Sequence, residues 1–368
     1  MKISVPTETA PREQRVALAP DSVSRLIKQL KVEVAVQRGA GLRAGFRDEA
    51  YQASGATLVD GAAAFSGAEV VAKVQPPSTA EIARIDSGAT LISLLRPGHS
   101  ADTSAALAQR QVTALALELV PRITRAQSMD VLSSQSTVAG YKAVLVGAST
   151  SGKFLPMLTT AAGNISPAKV FVIGAGVAGL QAIATARRLG GVVSAFDVRP
   201  AAREQVQSLG ATFVANELVS ESAEAAGGYA RAQTSDEQAR TLAAIANHIK
   251  DQDLVVTTAQ IPGKTAPILI TEEMVLSMRA GSVIVDLAAE TGGNCALSKP
   301  GEVVEVHDVT IIAPLNVAST VAFHASQMFG RNIFELLKHL VKDGALVLDP
   351  NDEITGAMMM THQGKVLR

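Results

Sequence analysis

Through residues 1–120 the chain alternates short aliphatic and β-branched runs with stretches whose apolar positions recur at helical spacing. Strands are expected at Ile3–Val5, Val32–Val36, Glu69–Val74, Thr90–Leu95 and Thr113–Val120, with a helix over about Asp21–Leu30. Gly or Pro flanks these strands, and the gaps between them are long enough for helices, which is the rhythm of parallel βαβ units. The polar, hydroxyl-rich segment Pro121–Ser136 then breaks the pattern and reads as a site loop, before a long helix from about Ser133 through Val146.

The stretch Lys169–Asp197 reads as strand, glycine turn, helix, strand and terminal carboxylate in one run. A helix near Ala201–Leu209 and a strand at Ala211–Val214 follow, then a stretch without period from Asn216 to Gln238, with the composition of an exposed mobile loop. Strands return at Asp253–Thr258 and Ser282–Leu287, each followed by a loop at the carboxyl end, where open α/β sheets bind ligands. An amphipathic helix over about Ser319–Val341 is expected to cross back to the first domain. The predicted architecture is α/β, with two Rossmann-like parallel-sheet domains and a nucleotide-binding cleft between them: a discontinuous N-terminal domain, 1–136 plus 320–368, and a Rossmann domain, 137–319.

Composition narrows this picture. The chain's 368 residues suit about two domains, and its apolar content is Ala, Val, Leu and Ile with few aromatics, as buried parallel strands require. A balance of 33 basic against 34 acidic residues gives no electrostatic reason to expect nucleic acid or an anionic membrane as partner. Cys295 stands alone, so neither an internal disulfide nor a thiolate zinc site is expected, and no metal-ligand spacing appears among the six histidines. The N-terminus lacks the apolar core of a signal peptide, and no apolar run is long enough to span a bilayer, so a cytoplasmic chain without membrane insertion is expected.

Gly174, Gly176 and Gly179 form G-x-G-x-x-G directly after a strand and at the start of a helix. The first glycine permits the tight turn, the second lets backbone approach a pyrophosphate, and the third lets helix pack on strand; the helix N-terminus adds N–H groups and positive dipole for phosphates. Asp197 closes the next strand, 18 residues past Gly179, where a carboxylate can accept both adenosine ribose hydroxyls and repel a 2′-phosphate, selecting NAD. The plainer alternative for Asp197 is a strand-end cap. Arg199 could soften the preference or be an ordinary solvated arginine. Arg122, Gln127, Asp130 and Ser133 offer donors, an acceptor and a positive charge for a nicotinamide, its ribose and a diphosphate; alternatively they belong to a solvated linker whose Asp and Ser cap the following helix. Arg15 and Lys73 fall near strand ends. Lys73, inside the apolar VVAKVQPP, either lines a cleft or is an edge-strand lysine that deters aggregation.

The segments PRITRAQSMDVLSSQSTVAGY, MLTTAAGNISPAKVFVIGAGVAGLQAIATARRLG, AAGGYA, IPGKTAPILITEEMV and SVIVDLAAETGGNC resemble the NAD(H)-binding α subunit of proton-translocating NAD(P) transhydrogenase, a family similar in fold to alanine dehydrogenase. The resemblance covers nearly the whole chain. It implies that Arg122, Gln127, Asp130 and Ser133 form the catalytic surroundings of the nicotinamide, and that the backbone of Ala175, Gly176 and Val177 meets the diphosphate. Asp197, with Val198 and Arg199 beside it, would meet the adenosine ribose, and Gly228 and Tyr229 would tip a loop that closes on the nucleotide. Gln127 would also reach toward a second nucleotide held by a partner.

What the resemblance implies for function is hydride transfer between NADH and NADP+ bound on a partner subunit, coupled to proton movement through a membrane-spanning subunit. The chain would be a separate peripheral subunit at the inner membrane and a homodimer, since it ends at Arg368 after a polar tail. Direct transfer between nicotinamide rings needs positioning and not an acid or base, which suits a chain with few candidate catalytic His or Cys. Two other functions stay open: an alanine dehydrogenase-like amino-acid oxidoreductase and a non-catalytic NAD-sensing module. Against the first, the chain reads SLLRPGHS where that family places its histidine, leaving His99 several residues late, and Glu290-Thr291-Gly292-Gly293 where it has Asp-Gln-Gly-Gly.

Overall fold

Parallel strands joined by helices build each of the two units into which the chain divides, Met1–Gln135 with Ala318–Arg368 and Ser136–Val317. The computed structural model describes residues 1–99, 101–215, 218, 231, 233–260 and 264–368. The expected α/β class, two parallel-dominated sheets in two domains, is what it shows.

In the first unit, β1 (Lys2–Val5), β2 (Glu33–Gln37), β3 (Thr57–Val59), β4 (Val70–Ala72), β5 (Thr90–Ser93) and β6 (Thr113–Ala116) are parallel, with Ile3 opposite both Val34 and Val70. The helix Pro20–Leu30 starts well because Pro20 loses no needed N–H in the first turn, and it stops where Lys31 turns left-handed. It buries Val23 and Leu26 in a core shared with Phe329 and Ile333 of the helix Ala322–Leu340. Gly330 permits that closeness: a Cβ there would meet Ser22 Oγ at 2.8 Å.

The second unit begins with an antiparallel hairpin, β7 (Leu158–Thr160) and β8 (Gly163–Ile165). Its main sheet holds β9 (Lys169–Ile173), β10 (Val192–Phe196), β11 (Thr212–Phe213), β12 (Leu254–Thr257), β13 (Val283–Asp286), β14 (Val303–Val306) and β15 (Val309–Ile312) in the order β11-β10-β9-β12-β13-β15-β14. Only β14 runs antiparallel to its neighbour in that sheet. Val170–Ile173 are buried, with helix Val177–Arg188 supplying Ala182, Ile183 and Ala186 to one face and helix Ser235–Ile249 supplying Ile245 and Ile249 to the other.

The chain then returns to the first unit with β16 (Val341–Lys342) and β17 (Ala345–Leu346), a small pair, and β18 (Met359–His362) and β19 (Lys365–Val366). The last two extend the first sheet antiparallel beyond β6, giving β19-β18-β6-β5-β4-β1-β2-β3.

Several local expectations shift. The helix expected from Ser133 begins at Val131, because Asp130 caps it. Strand Thr113–Val120 stops at Ala116 and tightens into a 3₁₀ turn over Leu117–Leu119. The aperiodic stretch to Gln238 is too long by a turn: Thr234 and Glu237 form a capping box that starts a helix at Ser235. The helix expected from Ser319 opens as a 3₁₀ turn, Val317–Val321, and becomes α at Ala322.

Candidate functional site

The run from β9 to β10 folds as its glycines require. Gly174 turns at φ 93°, and a Cβ on it would come within 2.8 Å of Thr258 Oγ1. Gly179 packs so closely that a Cβ would meet the Gly174 carbonyl oxygen at 1.8 Å. Gly176 is different: its Cβ would meet nothing within 4 Å, so here the missing side chain leaves open space beside the backbone. Gly176 is also the N-cap of helix Val177–Arg188, with no side-chain cap and no acidic residue in the first turn. Its free N–H groups and dipole therefore face that space uncompensated by a carboxylate.

Asp197, 7% exposed, follows β10 and is held from three directions. Its Oδ2 accepts from the Ala175 N–H at 2.7 Å and from Arg199 Nη2 at 2.8 Å; its Oδ1 accepts from the Arg199 N–H at 2.9 Å and Arg199 Nε at 3.0 Å. The carboxylate is thus tied to the glycine turn by one bond and to its own strand end by the rest. Val198 is half-buried beside it. Arg199 is not an ordinary solvated arginine, since its guanidinium lies along Asp197 with 19% of its side chain exposed.

Two residues that sequence reasoning missed support the turn from neighbouring strands. Thr258, just after β12, donates from Oγ1 to the Gly174 carbonyl at 2.9 Å. Asn294, fully buried, accepts from the Ala259 N–H at 3.0 Å and donates to the Ala259 and Pro267 carbonyls at 2.9 and 2.8 Å. Asp286 in turn accepts from the Asn294 and Cys295 N–H groups, from Thr257 Oγ1 and from Ser298 Oγ. The loops after β12 and β13 are pinned by buried polar side chains, a cost repaid only because every acceptor is satisfied. A signal existed in the sequence: both residues are polar within otherwise apolar or glycine-rich strand ends. Cys295 is buried, and that burial pushes its thiol up to about 11, well away from a reactive thiolate.

In the first unit, Arg122 and Gln127 are exposed around a 3₁₀ turn, Thr124–Met129, whose Ala126 and Met129 anchor it in the core. Asn332 clamps the turn by donating to the Ser128 carbonyl at 2.7 Å. Asp130 accepts from the Ser133 N–H at 2.9 Å and from Ser133 Oγ at 2.6 Å, so the capping geometry anticipated for this pair is realised. The structure brings Asp130 and Ser133 together and leaves Arg122 and Gln127 pointing outward from the same turn. Gly228 and Tyr229 lie outside the described residues.

Lys73 proves neither a cleft lysine nor an edge-strand lysine. It follows β4, an interior strand, is 1% exposed, and pairs with Glu8 at 3.4 Å and Glu81 at 3.0 Å. Arg15 is gripped by Glu13 through two bonds of 2.8 and 2.7 Å and donates to Gln135 at 2.8 Å. Gln75, not Lys73, shares Glu13 with it, donating at 2.8 Å. Burial by itself raises Glu13, but Arg15 beside it and the Gln75 bond hold its carboxyl down to about 2. Burial wins at Glu8, which is raised despite Lys73. His248 bonds Ser194 and packs on Phe171, and His339 bonds Asp352, as satisfied structural histidines do. Among the described residues no group of His, Cys, Asp and Glu could hold a metal ion, and no helix is long and apolar enough to cross a membrane.

Residues 4–139 match the family "Alanine dehydrogenase/PNT, N-terminal domain" and residues 143–368 match "Alanine dehydrogenase/PNT, C-terminal domain". The chain is 48% identical to an NAD(P) transhydrogenase alpha subunit of Rhodospirillum rubrum, over 100% of this chain and 98% of that protein. A solved transhydrogenase from Sinorhizobium meliloti superposes with a TM-score of 0.91 at 46% identity, covering 100% of both chains. An L-alanine dehydrogenase structure gives 0.83 at 27% identity, covering 100% of this chain and 97% of that one.

Proposed function

We propose, for a chain that belongs to the alanine dehydrogenase/PNT family along nearly its whole length, a role as the NAD(H)-binding subunit of a proton-translocating NAD(P) transhydrogenase. The observation that carries the nucleotide part of this reading is Gly176, where an uncapped helix N-terminus meets space that a side chain would fill. The fit is chemical as well as steric. Two N–H-rich turns of backbone suit a diphosphate, and Asp197, anchored by the Ala175 N–H, suits the hydroxyls of an adenosine ribose.

When bound, the nicotinamide supplies the hydride chemistry, and no side chain need gain or lose a proton. The chain's own part is to bind, orient and exclude water. Gly174–Gly179 and Asp197 fix the adenosine diphosphate end, with Val198 and Arg199 alongside. Arg122, Gln127, Asp130 and Ser133 are assigned to the nicotinamide end by the likeness to the transhydrogenase subunits. There the Asp130–Ser133 bond presents a pre-oriented hydroxyl and carboxylate, and Arg122 and Gln127 supply outward donors. Positioning of this kind can contribute roughly 7–11 kcal/mol to lowering a barrier when the reacting atoms are held about 3–3.5 Å apart. The NADP(H) is held by a partner subunit, with a membrane-spanning subunit coupling the transfer to proton movement. The chain itself works as a peripheral homodimer on the cytoplasmic side of the inner membrane.

An amino-acid oxidoreductase is the weaker reading, because Lys73 is sealed between Glu8 and Glu81 and cannot meet a keto group. Mixing the purified chain with NADH and an NADP(H)-binding subunit should give hydride exchange, followed by absorbance of a nicotinamide analogue. Absence of exchange in that mixture, together with alanine oxidation by the chain alone, would overturn the proposal.

A further inference from the structure

The two oxygens of a carboxylate offer about four acceptor positions, and at Asp197 four donors already meet them. The Ala175 and Arg199 backbone N–H groups take one position on each oxygen, and the Arg199 side chain takes the other on each, Nε on Oδ1 and Nη2 on Oδ2. The two backbone bonds are built into the glycine turn and the strand end. The two side-chain bonds are not, because Arg199 sits at the N-cap of helix Pro200–Ser208 with part of its side chain in solvent, able to rotate away.

We infer that the Arg199 guanidinium is an internal placeholder for the cis-diol of the adenosine ribose, occupying the Asp197 carboxylate until a nucleotide displaces it. This rests on the reading that Asp197 holds that ribose. Once the guanidinium leaves, one acceptor position opens on each oxygen, side by side, while the backbone bonds keep the carboxylate aimed. Two adjacent hydroxyl donors then replace two adjacent N–H donors. A ligand without the diol gains nothing by evicting Arg199, so the residue sharpens selection for an intact ribose without touching it in the bound state. The arrangement also spares the protein a desolvated carboxylate in the empty site, which would otherwise be costly. Arg199 is therefore a specificity-determining residue, set against the ligand in the free protein.

The test uses the full chain and its Arg199→Met variant, which keeps the apolar stem and removes the donors. Titration calorimetry gives the dissociation constants of ADP and of 2′,3′-dideoxy-ADP for each. Their ratio cancels any general loss of positive charge near the diphosphate. Displacing a partly exposed ion pair is worth about a three- to tenfold factor, so the preference for ADP over the dideoxy compound should grow by about that factor in the variant. An unchanged or smaller preference overturns the placeholder. Asp197→Ala separates the two levels of inference: if it leaves the affinity for ADP intact, Asp197 does not hold the ribose and both readings fall. If it weakens ADP while the Arg199→Met ratio stays put, only the placeholder falls.

Discussion

The two sheets share a topology and treat its crevice in opposite ways. In the first unit the chain runs β1 to β3 outward, then starts again at β4 on the other side of β1; in the second it runs β9 to β11, then restarts at β12 beside β9. Each restart makes a switch point at the carboxyl ends of two adjacent strands, the place where open α/β sheets bind ligands. In the second unit that point holds Gly174, Gly176 and Thr258, with free N–H groups and space. In the first it holds Glu8 after β1 and Lys73 after β4, with Glu8 accepting from the Val74 and Gln75 N–H groups at 2.6 and 3.3 Å. The protein's own carboxylate takes the backbone donors that a ligand would need. Topology offers a crevice, and side chains decide whether it stays open.

The largest test of this contrast removes a charge from the filled crevice. Glu13→Ala strips Arg15 of its bidentate partner in a buried setting, and an uncompensated buried charge costs about 3–5 kcal/mol. Chemical denaturation should show a loss of that size. A loss under about 1 kcal/mol would mean that water reaches Arg15 and the first crevice is more open than its geometry indicates.

Acid should divide the two glutamates. Glu13, ordinarily near 4.5, is held to about 2 in the folded chain, so the folded state gives up its proton more readily than the unfolded one. Its contribution is therefore present above about 4.5 and is lost as pH falls toward about 2, at most roughly 3 kcal/mol. Glu8 is shifted upward by burial, so its sign is reversed: protonation favours the folded state, and its charge opposes folding at neutral pH. In acid titrations of stability, Glu13→Gln should flatten the fall between about pH 4.5 and 2, and Glu8→Gln should not. Equal flattening by both would contradict the assignment.

How much of this contrast could be read from the chain depends on where each determinant lies. The glycine turn is a local code, since Gly174, Gly176 and Gly179 act within one strand–helix junction, and their spacing alone predicts the conformation that appears. The parallel strands β1, β2, β4, β5 and β6 were legible as apolar runs for the same reason. Lys73 was not, because its meaning depends on Glu8 and Glu81, which only the fold brings to it. Likewise Asp286 and Asn294 act on loops from separate strands, so their spacing carries no period. The hairpin of β14 and β15 carries no glycine signal, because its turn places His307 and Asp308 at positive φ instead. Asp130 and Ser133 were ambiguous in the sequence between site and helix cap, and their geometry shows that a cap is present whatever else they do.

In the open crevice, Gly179→Ala should cost about 2–3 kcal/mol, because a Cβ 1.8 Å from the Gly174 carbonyl forces helix and strand apart. Thermal melting of the variant without nucleotide is the measurement, and an unchanged midpoint would show that the junction relaxes freely.

Gly176→Ala is the smallest perturbation and the most discriminating. Gly176 has φ −76°, which alanine adopts without strain, and its Cβ would enter open space. The variant should therefore fold as well as the parent, or gain up to about 1 kcal/mol through a less flexible unfolded chain. Binding should respond oppositely. If a diphosphate lies against the Gly176 backbone, the added methyl occupies its place, and affinity for ADP should fall about tenfold, close to 1.4 kcal/mol. Adenosine, which has no diphosphate, should lose much less. Stability kept and affinity lost is the signature of a space reserved for a ligand, whereas at the first unit's switch point Glu8 already occupies the backbone donors. Unchanged ADP binding by Gly176→Ala would show that the diphosphate lies elsewhere, and the distinction drawn between the two switch points would fail at its centre.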